Sequence, residues 1–198
     1  MAFIELMADP AAAEPAAGLF AKDLQTIGYV ANFTRLFARR PAVYQAWAQL
    51  NRAIKANMDV RVYELATLAA ARTLRSSYCA LAHGTVLRDR FYDADTVASI
   101  VTDHRRAGLG PADVAVMDFA AKVAADGNSV SAEDIAVLRE AGLTDDAILD
   151  VALAAAARCF FSTVLDATGT EPDAAYRTEL ETDLRRALTV GRPIADGR

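Results

Sequence analysis

The stretch RSSYCALAHGT, residues 75–85, places a thiol and an imidazole four positions apart, in a chain that has only two cysteines and two histidines. If a helix begins near Ser76, then Ser76, Cys79 and His83 fall at i, i+3 and i+7, within about 60° of one another on the wheel. Ala80, Val86 and Leu87 lie on or beside that face, so it is expected to point into the protein. A cysteine in a first helical turn meets unpaired N–H groups and the positive end of the dipole, and a histidine one turn later can accept its proton. Both effects favour a thiolate. The same residues also allow a plainer reading: Ser76 as an ordinary N-cap, Cys79 as a small buried hydrophobe and His83 as a core imidazole with a backbone partner. Twelve residues before Ser76, Glu64 sits on the preceding helix, and a hairpin could bring its carboxylate to the Cys–His face. Alternatively, Arg61, Arg72 and Arg75 share its side and would form a solvated ion-pair stripe with it. Spacing alone leaves both open.

The elements that must position these residues all read as helices. Pro41 and Pro111 suit first turns, where a missing N–H is harmless, and each precedes about fifteen residues of helical spacing. Gly127 and Gly142 fall where helices should stop, Ser131 and Thr144 where the next should be capped. The expected helices lie near 20–27, 30–39, 41–56, 60–74, 77–90, 94–104, 111–126, 132–141, 145–167 and 172–188, with no strand. The fold class is therefore all-α: a compact bundle of about eight to ten helices over residues 20–188, between a poorly ordered arm (1–19) and a tail (189–198). The helix near 145–167 is apolar on nearly every face. Such a helix needs cover on all sides, which pairing with another subunit supplies.

The 198 residues suffice for one domain with a real core. Hydrophobic residues make up 54% and aromatics 8%, so the apolar content is Ala, Val and Leu, which favours closely packed helices. A net charge of −5 without a dense Lys/Arg block argues against a nucleic-acid partner. Asp150 and Arg158 would be costly if residues 147–165 crossed a bilayer, so no membrane span is expected. MAFIELMADPAAAEP carries no cationic region ahead of an apolar run, and with two distant cysteines the expectation is a cytoplasmic protein with reduced thiols. Three lysines, Lys22, Lys55 and Lys122, against many arginines point to a GC-rich bacterial source. Gly-rich phosphate loops are absent. His83 and His104 are far apart with no spaced ligand set around either, so no metal is expected, and no cofactor. His104, beside Arg105 and Arg106, reads as helix-end charge complementarity.

Residues from Gly28 to about Tyr176 resemble the carboxymuconolactone decarboxylase superfamily, and within it the AhpD-like alkylhydroperoxidase branch. GYVANFTRLFARRPAVYQAW is similar to the lead-in helices, VYELATLAAARTLRSSYCALAHGTVL to the core motif, and DIAVLREAGLTDDAILDVALAAAA to the paired helices after it. The motif of peroxidase members is a Glu, twelve positions on the first Cys of a Cys-x-x-Cys, then a His four beyond the second. Those positions hold Glu64, Ser76, Cys79 and His83 here. The resemblance implies that Cys79 attacks a peroxide while Glu64 and His83 relay protons, and that the first motif cysteine, absent here, resolves the sulfenic acid as a disulfide. Ser76 cannot do so. The implied activity is that of a peroxidase-related enzyme with one reactive cysteine, regenerated by an external thiol. The alternatives are acid–base chemistry on a lactone or keto acid through His83 and Glu64, as in decarboxylase members, or a non-catalytic oligomeric binding or redox-sensing protein. Cys159 is expected to be a structural thiol. The resemblance also implies a homo-oligomer, commonly a trimer or hexamer.

Overall fold

The computed structural model describes residues 2–11 and 14–197. Among them are eleven α-helices, one short 3-10 turn and no strand. The helices are α1 (Ala17–Ile27), α2 (Asn32–Phe37), α3 (Pro41–Lys55), α4 (Val60–Thr73), α5 (Ser77–Arg90), α6 (Ala94–Asp103), α7 (Pro111–Asp126), α8 (Ala132–Glu140), α9 (Asp145–Ala167), α10 (Tyr176–Glu179) and α11 (Thr182–Leu188). Pro41 and Pro111 occupy first turns as expected. Thr144 accepts from Ala147 N, and Ser131 forms a capping box with Asp134. Gly142, at φ 93°, ends α8 in the left-handed region that a side chain disfavours.

The spine is α4, in which every residue from Tyr63 to Ala71 is buried. Ala66, Ala69, Ala70 and Ala71 have no bulk, so α5, α7 and α9 approach it from different sides. That close approach leaves Glu64, on the same helix, buried. α9 is long and apolar enough to span a bilayer by length and composition. Here it lies in the bundle, with Ile148, Val151, Ala155 and Leu165 in the main core.

Two sequence expectations need correction. The single helix over 172–188 is two short ones, because Leu180 and Glu181 are extended (ψ 142° each). Leu180 is thereby buried, while the Glu181 carboxylate meets Arg88 at 3.0 Å. Burial and an ion pair outweigh helix propensity there. The first helix begins at Ala17, three residues early. The terminal segments touch the bundle: Phe3 N donates to Thr168 O at 2.8 Å, Arg35 donates to Met7 O at 3.1 Å, and Ala195 N donates to Pro172 O at 2.9 Å.

Candidate active site

Cys79 owes its place to a tight junction. At the end of α4, Arg75 adopts a left-handed conformation (φ 56°), Ser76 N donates to Ala71 O and Arg75 N to Arg72 O, each at 2.9 Å. This is a Schellman motif, and its last residue, Ser76, is also the N-cap position of α5. A non-glycine residue held at positive φ is uncommon, and the segment beyond α11 braces the turn. Gly191 N donates to Ser77 Oγ at 2.7 Å, and a Cβ on Gly191 would come within 1.9 Å of Arg75 O. Only glycine permits that approach. Leu188 packs against Gly84 on the same side of α5, so α11 presses α5 against the spine.

The inward face of α5 then carries all the expected residues. Ser76 is fully buried, Cys79 is 2% exposed and the His83 side chain 12% exposed. From α4 comes Glu64, itself 2% exposed, with Oε2 2.5 Å from His83 Nδ1. The solvated-stripe reading of Glu64 is therefore overturned, because the hairpin turns this carboxylate inward while Arg61 pairs with Asp113 at 2.6 Å. Ser76 stands at the cap position but its hydroxyl makes no bond to the first turn of α5. The N-cap reading of Ser76 holds for its position and fails for its side chain.

Three further side chains complete the site, none of them singled out from sequence as functional. Arg158, on α9, is 4% exposed and donates from Nη1 to Cys79 Sγ at 3.4 Å. Its Nη2 lies 3.5 Å from Tyr63 Oη, and its Nε has no acceptor among the described residues. Tyr63 donates to Asn51 Oδ1 at 2.7 Å. Lys55 Nζ sits 3.3 Å from the other Glu64 oxygen, Oε1, and 4.6 Å from the Tyr63 ring centre. The single basic residue of α9, set among alanines and phenylalanines, was the available signal for Arg158. Its cost in a membrane was legible in the sequence. Its partner was not.

The electrostatics are those of a proton-transfer pair beside a cation. Burial pushes the Glu64 carboxyl up, but His83 and Lys55 outweigh it and hold Glu64 below its ordinary value. His83 is held below its ordinary value, first by burial and then by the charge of Arg158, against the pull of Glu64. Near neutral pH the arrangement is thus a carboxylate accepting from Nδ1–H of a neutral imidazole, with Nε2 left as a base. Burial opposes the charge on Arg158, yet Cys79 and Tyr63 more than offset this and raise it. Arg158 has no carboxylate within ion-pair distance among the described residues, and its partners are the Cys79 sulfur and the Tyr63 hydroxyl.

Beyond Arg158 lies an aromatic wall. Trp47 stacks on Phe161 with ring centres 4.2 Å apart, and the guanidinium carbon is 5.5 Å from the Phe161 ring. A surface hollow of about 860 Å³ lies elsewhere, between the N-terminal segment, Tyr29 and Asp173. Burial raises the Asp173 carboxyl to about 6, and it accepts from Asn32 N at 2.7 Å and from the hydroxyl of Tyr78. Cys159 is half-buried and its thiol is pushed up by burial, the opposite of activation. His104 is bound to Asp118 at 2.8 Å, on a carboxylate that Arg105 shares.

Solved structures superpose on this all-helical chain. A peroxidase-related protein with an alkylhydroperoxidase AhpD core, from Ralstonia eutropha JMP134, superposes with a TM-score of 0.77 at 23% identity, covering 88% of this chain and 94% of that one. The chain has the AhpD-like fold. A peroxidase-related protein from Silicibacter sp. TM1040 gives 0.75 at 23% identity over 87% and 94%. The debrominase Bmp8, in a cysteine-to-alanine form with 2,3,4-tribromopyrrole, gives 0.73 at 15% identity over 88% and 94%. No protein-family model matches the chain, and no curated protein does.

Proposed function

We propose that the protein reduces peroxides through Cys79 and is regenerated by an external thiol. The observation that carries this is the buried Arg158–Cys79 contact at 3.4 Å, with His83, held by Glu64 of α4, on the same face of α5 as Cys79. His83 takes the proton of the Cys79 thiol, and Arg158 supplies the counter-charge to the sulfur. The sulfur attacks one peroxide oxygen, an S–O bond forms as the O–O bond breaks, and the leaving oxygen takes the proton back from His83. Cys79 is then a sulfenic acid. One small thiol converts it to a mixed disulfide with loss of water, and a second releases Cys79 and the oxidised thiol pair. With Cys79 only 2% exposed, a compact oxidant such as hydrogen peroxide fits this reading best.

Treatment with one equivalent of hydrogen peroxide and a sulfenic-acid trap is expected to label the Cys79 peptide and leave the Cys159 peptide unlabelled, and added thiol should restore the unlabelled protein for further cycles. Equal labelling of both cysteines, or none at Cys79, would exclude the mechanism. Trapping without thiol-supported turnover would instead favour a redox sensor, and activity on a lactone or keto acid that survives Cys79→Ala but not His83→Ala would favour acid–base chemistry.

The aromatic wall beside Arg158 favours a second reading on the same sulfur. Attack on the halogen of a brominated aromatic would form an S–Br bond, the aryl carbanion would take the His83 proton, and a thiol would then displace bromide. Bromide release from a bromopyrrole, lost in Cys79→Ala, measures it.

Self-association is also proposed. Exposed residues on α3 (Val43, Ala46, Leu50, Ala53) and α9 (Leu149, Leu153, Ala156, Phe160) recur at alternating three and four positions, the spacing of a helix–helix seam. Trp47 meets Phe161 and Ile54 shares a cluster with Ala154 and Ala157, so the two helices run antiparallel. Both stripes then lie about a quarter-turn from that contact and on one side of the pair. Light scattering on the purified protein should give a multiple of 21.2 kDa, and Leu153→Glu should lower it. A monomer at micromolar concentration would remove this proposal.

A further inference from the structure

We propose that Lys55 is a positioning residue that keeps the Glu64 carboxylate charged without placing a proton on His83, so that the imidazole meets Cys79 as a free base. The inference rests on the reading of Cys79 as the reacting thiol.

The grip comes from one face of α3. Asn51 and Lys55 stand four residues apart, one helical turn, and hold two consecutive residues of α4. Asn51 accepts from the Tyr63 hydroxyl at 2.7 Å, and Lys55 takes Glu64 Oε1 at 3.3 Å while lying 4.6 Å from the Tyr63 ring centre. Glu64 thus has one partner for each oxygen, Lys55 on Oε1 and His83 on Oε2. At 2% exposure the carboxylate has almost no water to share its charge. Without the ammonium, the buried negative charge is best compensated by a proton taken up by the pair. On His83 that proton makes an imidazolium, which cannot accept another from Cys79. On Glu64 it removes the acceptor that fixes Nδ1–H. Either way the base is lost.

The charged and titratable groups facing His83 are Glu64 and Tyr63 from α4, Arg158 from α9 and Lys55 from α3, with Cys79 one turn earlier on the same face of α5. Arg158 and Lys55 disfavour its protonation and Glu64 favours it, with burial the largest influence against. The other helices on α5 bring their charges elsewhere. On α6, Asp95 is exposed and Asp103 is engaged by Arg106 at 3.6 Å. On α11, Asp183 and Arg186 pair with each other at 3.1 Å.

The chain has only two histidines, so imidazole resonances can be followed by NMR and assigned with a His104→Gln variant. In Lys55→Met the protonation midpoint of His83 is expected to rise by about one pH unit, and in Lys55→Arg it should stay near the parent's. The acid limb of peroxide consumption should move upward by the same interval, about tenfold slower turnover at a pH on that limb. A His83 midpoint unchanged in Lys55→Met, with only thermal stability lowered, would overturn the proposal and leave Lys55 a merely structural contact. If the parent protein consumes no peroxide at any pH, the peroxidase reading fails, while the His83 titration still decides the role of Lys55.

Discussion

Arg158→Met is expected to make the protein more stable and Cys79 less reactive. The guanidinium is 4% exposed, faces no carboxylate among the described residues and leaves Nε without an acceptor. Burying such a charge costs several kcal/mol, and a methionine of similar length fills the same space against Trp47 and Phe161 without that cost. The expected gain is about 1–2 kcal/mol, a rise in Tm of a few degrees for a chain of this size. Losing one charge-assisted contact of about 1.5–3 kcal/mol should slow the reaction of Cys79 with hydrogen peroxide, and with iodoacetamide at pH 7, by about 10- to 100-fold. Thermal melts and stopped-flow alkylation on the same preparations measure both. A variant that melts lower and reacts at the parent's rate would mean that Arg158 is a packing element and not the sulfur's counter-charge.

Ser76→Cys is expected to create a disulfide with Cys79 under mild oxidant. Ser76 stands at the N-cap position of α5 and Cys79 three residues on, the start-of-helix geometry of Cys-x-x-Cys centres. Because the Ser76 hydroxyl makes no cap bond, its replacement forfeits none. A thiol so placed acts at an effective concentration of about 10⁵ M in favourable cases, whereas a diffusing thiol is millimolar. Resolution of the sulfenic acid should become intramolecular, and peroxide turnover with a dithiol reductant should rise at least about tenfold. Intact mass and non-reducing peptide mapping report the bridge. Sulfenic acid that accumulates at Cys79 with no bridge would show that the two side chains do not meet.

Legibility in the sequence differs from element to element. Pro41, Pro111, Ser131, Thr144 and Gly142 mark helix ends through backbone chemistry that acts within a few residues, and the structure places each at the boundary it implied. Leu180 and Glu181 broke the rule. Their conformation answers to a core and to an Arg88 that lies 93 positions away from Glu181 in the chain, and no local pattern carries that information. The 3.6-residue period likewise put Ser76, Cys79 and His83 on one face and marked that face as inward.

By itself, then, the amino-acid sequence determined an all-helical chain, a Ser76–Cys79–His83 face with a single thiol, and the absence of any dense basic block. Only the tertiary structure decided that Glu64 turns toward His83 rather than toward its neighbouring arginines, that Arg158 meets the sulfur and that Lys55 holds the second carboxylate oxygen. The reason is physical. Helix periodicity says which residues share a face, but a partner across a helix–helix contact is set by how α3, α4, α5 and α9 pack on small alanines, and the free energy of a charge depends on what that packing leaves beside it.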